Sequence, residues 1–348
     1  MFLSVQYLRG VAALSIVVYH LHLQVDRLGY EGWWPSFLAA GVDLFFAISG
    51  FVMWKASGTK PGTPADFYTR RIIRIVPMYW LFTSVIVAIA LAIPSVLQST
   101  KFDVGHVVAS YLFLPYTSPA DGTITPLLNP GWTLNFEMFF YVLFGATLVL
   151  PISRRLAAIS LAILGLVVLG VLLNPSMPIL KVWTSSMLVE FLFGIGIAVA
   201  SDHIRVSRTV CAAVLGLGMA LLLWRLPLPL DGTIISPWRF VVLGVPAALI
   251  LLGAVLWEAN GGVPRLGFVQ LMGDASYSLY LSHSLALSAI AQVWRKLPLT
   301  GALQWTTLSV AGLTASAAVG LLVYWWVEKP LTEYLNHKRR SSRARVPA

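Results

Sequence analysis

Val5-Gln6-Tyr7-Leu8-Arg9-Gly10-Val11-Ala12-Ala13-Leu14-Ser15-Ile16-Val17-Val18-Tyr19-His20-Leu21-His22-Leu23 is the stretch whose reading decides the fold. As a helix rising about 1.5 Å per residue, it reaches across most of a hydrocarbon layer about 30 Å thick. It nevertheless carries Arg9 near one end and His20 near the other. Three helical turns separate them, so both fall on nearly one face, roughly 16 Å apart along the axis. A guanidinium inside a membrane span is costly, so it faces protein, water or a ligand instead of lipid. The stripe predicts a polar passage beside this helix, with an anion site at the Arg9 end and proton chemistry at the His20 end.

The composition agrees. Of 348 residues, 58% are hydrophobic and 11% charged, with a mean hydropathy of +0.80, too apolar for a water-soluble domain. The expected fold is all-α, a polytopic integral membrane protein. Arg9 interrupts the first apolar run and no basic segment precedes it, so that run reads as a retained span, not a cleaved signal. Apolar runs recur about ten times, predicting transmembrane helices over Val5–Leu23, Phe37–Trp54, Ile75–Ile93, Leu134–Leu150, Leu156–Leu173, Ser185–Ala200, Val210–Trp224, Trp238–Trp257, Tyr277–Val293 and Trp305–Val327. With the amino terminus in the cytoplasm, sixteen Lys and Arg fall in inner segments, among them Lys55, Lys60, Arg70, Arg155 and the tail up to Arg345. Seven, including Lys101, Arg225 and Arg239, fall outside. That bias places both termini in the cytoplasm and accounts for the net charge of +10 without nucleic acid. The single cysteine, Cys211, excludes an intrachain disulfide or a paired-cysteine metal site and reads as a small core thiol. A membrane domain over 1–330 and a basic cytoplasmic tail over 331–348 are expected. The long connection from Pro94 to Gly131, rich in proline, is expected to cap the outer face.

There is no HExxH, P-loop, GxGxxG or GxSxG, so chemistry must come from buried polar groups, with no metal expected. Arg71 and Arg74, one turn apart in Arg70-Arg71-Ile72-Ile73-Arg74, share a face and run directly into apolar sequence. Two readings compete: interfacial anchoring, and binding of phosphate through guanidinium forks, with Arg9 completing the anion site. Asp43 and Glu137 both enter the membrane from the outer side, near the depth of His20, and each is a candidate to orient its imidazole as a general base. Glu190 is a third acid at that depth. His283, with Tyr280 one turn before it, is expected either to line the passage or to serve as a structural hydrogen-bonding group.

These pieces together resemble the membrane acyltransferase-3 family, bacterial O-acyltransferases that modify polysaccharides. The matching residues are Leu8-Arg9-Gly10-Val11-Ala12-Ala13 with Tyr19-His20, Gly41 to Phe51, Arg71-Ile72-Ile73-Arg74 followed by Pro77, Trp132 to Glu137 with Phe140-Tyr141, Ser276 to His283, and Val327-Glu328-Lys329-Pro330. They occur in family order through nearly the whole chain. The resemblance implies about ten spans in the bacterial inner membrane, a cytoplasmic acyl-CoA donor and an acceptor hydroxyl on an extracytoplasmic or lipid-linked glycan. It also implies essential roles for the positions held here by Arg9, His20, Arg71 and Arg74. The short standalone form resembles the exopolysaccharide-modifying subgroup. Ser282 departs from the tryptophan often found before the last motif's histidine, and no SGNH-type domain follows the last span, so the acceptor is expected on the membrane domain itself or on a polysaccharide assembly partner.

The expectation that follows assigns His20, Glu137 and Asp43 to catalysis, Arg9, Arg71 and Arg74 to the phosphates of acetyl-CoA, and His283, Tyr280 and Glu190 to the acceptor side. Two other classes fit a polytopic chain with buried charges: a transporter or flippase of a lipid-linked glycan, and a membrane glycan ligase or polymerase.

Overall fold

The computed structural model describes residues 2–59, 63–93, 101–224 and 236–344. Lys60, Arg225 and Arg345 of the charge pattern, and the first residues of the Pro94–Gly131 connection, lie outside them. The described residues are helical throughout, apart from turns, loops and one isolated bridge between Thr117 and Ile124. The first helix, α1 (Leu3–Asp26), is central, packing against α2 (Ala40–Thr59), α10 (Val245–Ala259), α11 (Gly267–Asp274), α12 (Ser276–Trp294) and α13 (Gly301–Val323). Its free amino-terminal N–H groups are answered by a carboxylate from the end of α10. Leu3 and Ser4 donate to Glu258 at 2.9 and 2.8 Å, and the Ser4 hydroxyl donates at 2.6 Å, an arrangement that also complements the helix dipole.

Helices α1, α2 and α8 (Val189–His203) approach closely because small residues line the crossings. A Cβ on Gly50 would lie 2.0 Å from the Phe191 carbonyl oxygen, and one on Gly194 only 1.8 Å from that of Ala47. Only glycine admits backbones at that separation, the usual device where helices pack without water between them. Helix α3 (Pro64–Ala92) begins with a Thr63 cap, whose hydroxyl accepts from the Asp66 N–H at 3.2 Å. Pro77 interrupts its ladder three residues after Arg74. Nearby, the Tyr277 hydroxyl donates to the Ile75 carbonyl at 2.7 Å, tying α3 to α12.

Seven helical stretches among the described residues are long and apolar enough to cross a membrane. Helix α6 (Ile152–Leu173) leaves Leu161, Val171 and Leu172 more than 70% exposed, an apolar surface suited to lipid. Three expected spans fall short of that standard for identifiable reasons. Helix α5 (Trp132–Thr147) has 16 residues and includes Asn135 and Glu137. Helix α9 (Arg208–Trp224) has 17, and α12 carries serines at 276, 278, 282, 284 and 288. The expected span at Ser185–Ala200 is preceded by a short helix, α7 (Pro178–Trp183), and opens on a 3-10 turn over Ser186–Leu188, the whole crossing stretch running from Pro178 to His203. The 101–131 connection contains α4 (Val104–Tyr111), held to the rest of the loop by His106 Nε2 on the Thr125 carbonyl at 2.8 Å and by the Leu127 N–H donating to Ser110 Oγ at 3.0 Å.

The last helix does not stop at the expected span. After α13, a π-helical turn over Tyr324–Glu328 leads into α14 (Lys329–Ala344), which packs against α3. A second π-helical turn, Phe240–Gly244, follows Arg239. Each places a charged side chain against a neighbouring helix, in keeping with the frequency of π turns at functional sites.

Candidate functional site

Five helices enclose a central cavity of about 810 Å³, including its open mouth. Arg9 reaches it from α1, Ser49 and Met53 from α2, Arg71 and Arg74 from α3, Glu137 and Tyr141 from α5, and Tyr277 and Tyr280 from α12. The three arginines picked from sequence therefore share one chamber. Their environments differ. The Arg74 guanidinium pairs with Glu328, which is fully buried and also accepts from the Ser278 hydroxyl at 2.5 Å and the Ser278 N–H at 3.2 Å. Arg9 donates to the Gln6 side chain at 3.3 Å, and Gln6 in turn donates to Asp274. Arg71 lies 5.9 Å from the centre of the Tyr141 ring, and its buried Nε has no hydrogen-bond partner among the described residues.

Glu137 sits among these cations, not beside His20. It accepts from the Ser49 hydroxyl at 3.0 Å and from the Tyr141 hydroxyl one turn further along α5. Its position follows from helix geometry: five residues into α5, it lies about 7.5 Å below the first residue. Asp43 is also engaged elsewhere. Arg239 grips it through two parallel bonds, Nη2 to Oδ2 at 2.7 Å and Nε to Oδ1 at 3.1 Å, and stands over the Trp132 ring at 5.8 Å. Both expectations for the orienting acid thus miss the observed hydrogen bonds. Glu190, wholly buried beside Gly244, lies within electrostatic reach of the Asp43–Arg239 pair, and neither of its oxygens has a hydrogen-bond partner among the described residues. It faces that pair instead of the cavity.

The partner of His20 is His283. His20 Nδ1 lies 2.9 Å from His283 Nε2, and the rings stack with centroids 5.0 Å apart. His283 Nδ1 lies 2.7 Å from the Tyr280 carbonyl oxygen. A carbonyl only accepts, so this nitrogen carries the hydrogen of the neutral ring. His283 Nε2 is then an acceptor, His20 Nδ1 its donor, and His20 Nε2 is left with a free lone pair, the form a general base needs.

His20 is not on the wall of the central cavity. Between them stands Tyr280, which lines the cavity, bonds Thr133 and the Pro130 carbonyl at 2.9 Å each, and lies 5.9 Å from the His283 ring. The polar stripe of α1 is therefore divided into a chamber at the Arg9 end and an imidazole pair at the His20 end, with one aromatic layer between.

An apolar helical bundle around a charged interior chamber is the architecture of a polytopic membrane protein. The acyltransferase domain model of the acyltransferase-3 family matches residues 2–325. The chain belongs to that family and is an acyltransferase. It is 38% identical over 296 residues to the exopolysaccharide production protein ExoZ of Rhizobium meliloti strain 1021, covering 84% of this chain and 89% of that one. It is 31% identical over 183 residues to protein 2 in the picA locus of Rhizobium radiobacter, covering 47% and 92% respectively. A putative peptidoglycan O-acetyltransferase, YrhL of Bacillus subtilis strain 168, is 28% identical over 225 residues, covering 58% of this chain and 33% of that one. No solved structure matches the chain.

Arg239 and Glu328 are not among the site residues that the sequence suggests. Arg239 reads as a loop charge, yet a cation at the edge of an apolar run needs a partner just as an acid does. Glu328 stands in the closing Val327-Glu328-Lys329-Pro330 motif, and its position directly at the end of the last apolar run is the available signal.

Proposed function

We propose that this chain crosses the inner membrane about ten times, with α5, α9 and α12 completing the seven long spans and both termini cytoplasmic, and that it moves an acetyl group from cytoplasmic acetyl-CoA to a hydroxyl of an exported or lipid-linked glycan such as an exopolysaccharide. The observation that carries this reading is the arrangement along α1: a basic chamber at one end and, just past Tyr280, a histidine pair with an available lone pair at the other. The similarity to ExoZ along most of both chains supports a polysaccharide acceptor, and the likeness to the putative peptidoglycan O-acetyltransferase YrhL supports acetyl as the group.

In this mechanism the arginine-rich chamber receives the anionic donor and the thioester arm extends past Tyr280 towards His20. His20 Nε2 takes the proton of the sugar hydroxyl as its oxygen attacks the thioester carbonyl. The carbon–sulfur bond then breaks, and the departing thiolate takes up the proton that the imidazolium returns. His283 acts as a positioning residue that fixes the His20 tautomer. Arg74, already paired with Glu328, braces α3 against the end of α13, while Arg71 and Arg9 meet the donor.

Two expected results follow. Arg71→Ala raises the KM for acetyl-CoA about tenfold or more, as loss of a charge-assisted contact implies, while membrane protein levels stay near wild type; Michaelis kinetics in membrane vesicles with an unchanged KM would remove Arg71 from the donor site. His283→Ala lowers kcat with little change in that KM, because it disturbs the base and not the anion chamber. A variant that instead loses donor affinity at full kcat would contradict the positioning role.

A further inference from the structure

A smaller cavity, of about 380 Å³ including its open mouth, adjoins the central one and shares Met53 and Arg71 with it. Its wall includes Arg70 and Arg71 of α3 and Arg155 of α6, with no acidic residue in the lining. Asp66, one turn before Arg70, is not part of that wall. Arg155 is held in place by the carbonyls that end α5, donating from Nε to Leu150 at 2.8 Å and from Nη2 to Leu148 at 3.3 Å. Arg339 of α14 lies within electrostatic reach of Arg70, and its buried Nε and Nη1 have no hydrogen-bond partner among the described residues. Arg71 presents a third orphaned nitrogen, its Nε, on the wall the two cavities share.

The contrast with the central chamber is what matters. There, Glu328 offsets Arg74, Gln6 relays Arg9 to Asp274, and Glu137 stands among the cations. Here guanidinium groups converge around a space whose wall supplies no carboxylate. Arginine forks suit phosphate oxygens, each able to donate parallel hydrogen bonds. An anion bound there would offset the mutual repulsion.

We infer that this second pocket binds the 3′-phosphorylated nucleoside end of the donor, with Arg70 and Arg155 gripping its 3′-phosphate, while the diphosphate lies at Arg71 on the shared wall and the thioester arm passes into the central chamber beside Arg9. The inference rests on the acyl-CoA reading above and adds to it a separate phosphate subsite. A free phosphate ester and an anionic lipid headgroup share the chemistry; the coenzyme is favoured because the pocket opens onto the chamber at Arg71.

The test uses the full-length protein in nanodiscs and three donors: acetyl-CoA, acetyl-dephospho-CoA, which lacks only the 3′-phosphate, and S-acetylpantetheine, which lacks the whole nucleotide. For the wild type, kcat/KM is expected to fall from the first donor to the third. In Arg155→Gln, the ratio of kcat/KM for acetyl-CoA to that for S-acetylpantetheine drops about tenfold. Arg70→Gln, which removes no backbone contact of the α5 end, shows the same selective drop and guards against a folding defect at Arg155. Equal losses with all three donors, or unchanged ratios in both variants, overturn the subsite. So does a loss seen only in nanodiscs containing anionic lipid and alike for every donor, which assigns the pocket to a headgroup. A wild-type protein inactive with all three thioesters overturns the acyl-CoA reading itself, a result distinct from the others.

Discussion

Replacing His20 by alanine is expected to lower acyl transfer by about 10² to 10⁴-fold, the range that a positioned general base contributes, and to leave the KM for acetyl-CoA nearly unchanged. His20 lies outside the cavity that holds Arg9, Arg71 and Arg74, on the far side of Tyr280, so its loss removes the proton acceptor without touching the anion chamber. Acetyl signals in the NMR spectrum of the secreted glycan would report the effect in cells. A His20→Ala strain with normal acetylation and reduced export would favour the transporter alternative. One that acetylates normally but makes polymer of altered length would favour the ligase.

The second large effect belongs to Arg239. Its two bonds to Asp43, whose carboxylate is fully buried, tie the start of α2 to the segment leading into α10. Taking away one member of a buried ion pair typically costs about 3–5 kcal/mol, because the other charge is left uncompensated. Arg239→Met should therefore melt well below wild type in detergent. Adding Asp43→Asn should recover most of the loss, since the residual charge is then gone. A single variant that melts with the wild type, or a double variant no better than the single, would show that the pair does not hold these helices together.

The two effects separate what was legible in the sequence from what was not. The periodic apolar runs with few charges reveal a helical membrane protein, and the 3.6-residue repeat alone places Arg9 and His20 on one stripe. The family is readable from motifs in order. Pairing is where sequence reasoning stops. It is correct that Asp43 requires a partner, but the nearest polar candidate in the pattern, His20, is not the one; Arg239, 196 positions away, makes a better partner because it is a full cation with a bidentate fork. The same holds for Arg74, whose counter-ion Glu328 lies 254 positions on. Depth along a helix also misleads when judged from span edges. Counting from the outer ends puts Glu137 and His20 at one level, yet Glu137 hangs into the arginine chamber and bonds Ser49 and Tyr141. The basic run at the carboxyl end, which reads as a solvated tail, continues the last helix through Ala344 because no proline or glycine after Pro330 breaks it.

The central claim, that the chain carries an acyl group from a coenzyme thioester to a sugar hydroxyl, is tested most directly with purified protein in liposomes, acetyl-CoA labelled in the acetyl group and a deacetylated exopolysaccharide fragment as acceptor. The label is expected to appear on the saccharide as an alkali-labile ester, and to be absent from it with His20→Ala. A wild-type protein that leaves the label on the coenzyme whatever saccharide is offered, in a preparation that still moves lipid-linked glycan across the bilayer, would contradict the account.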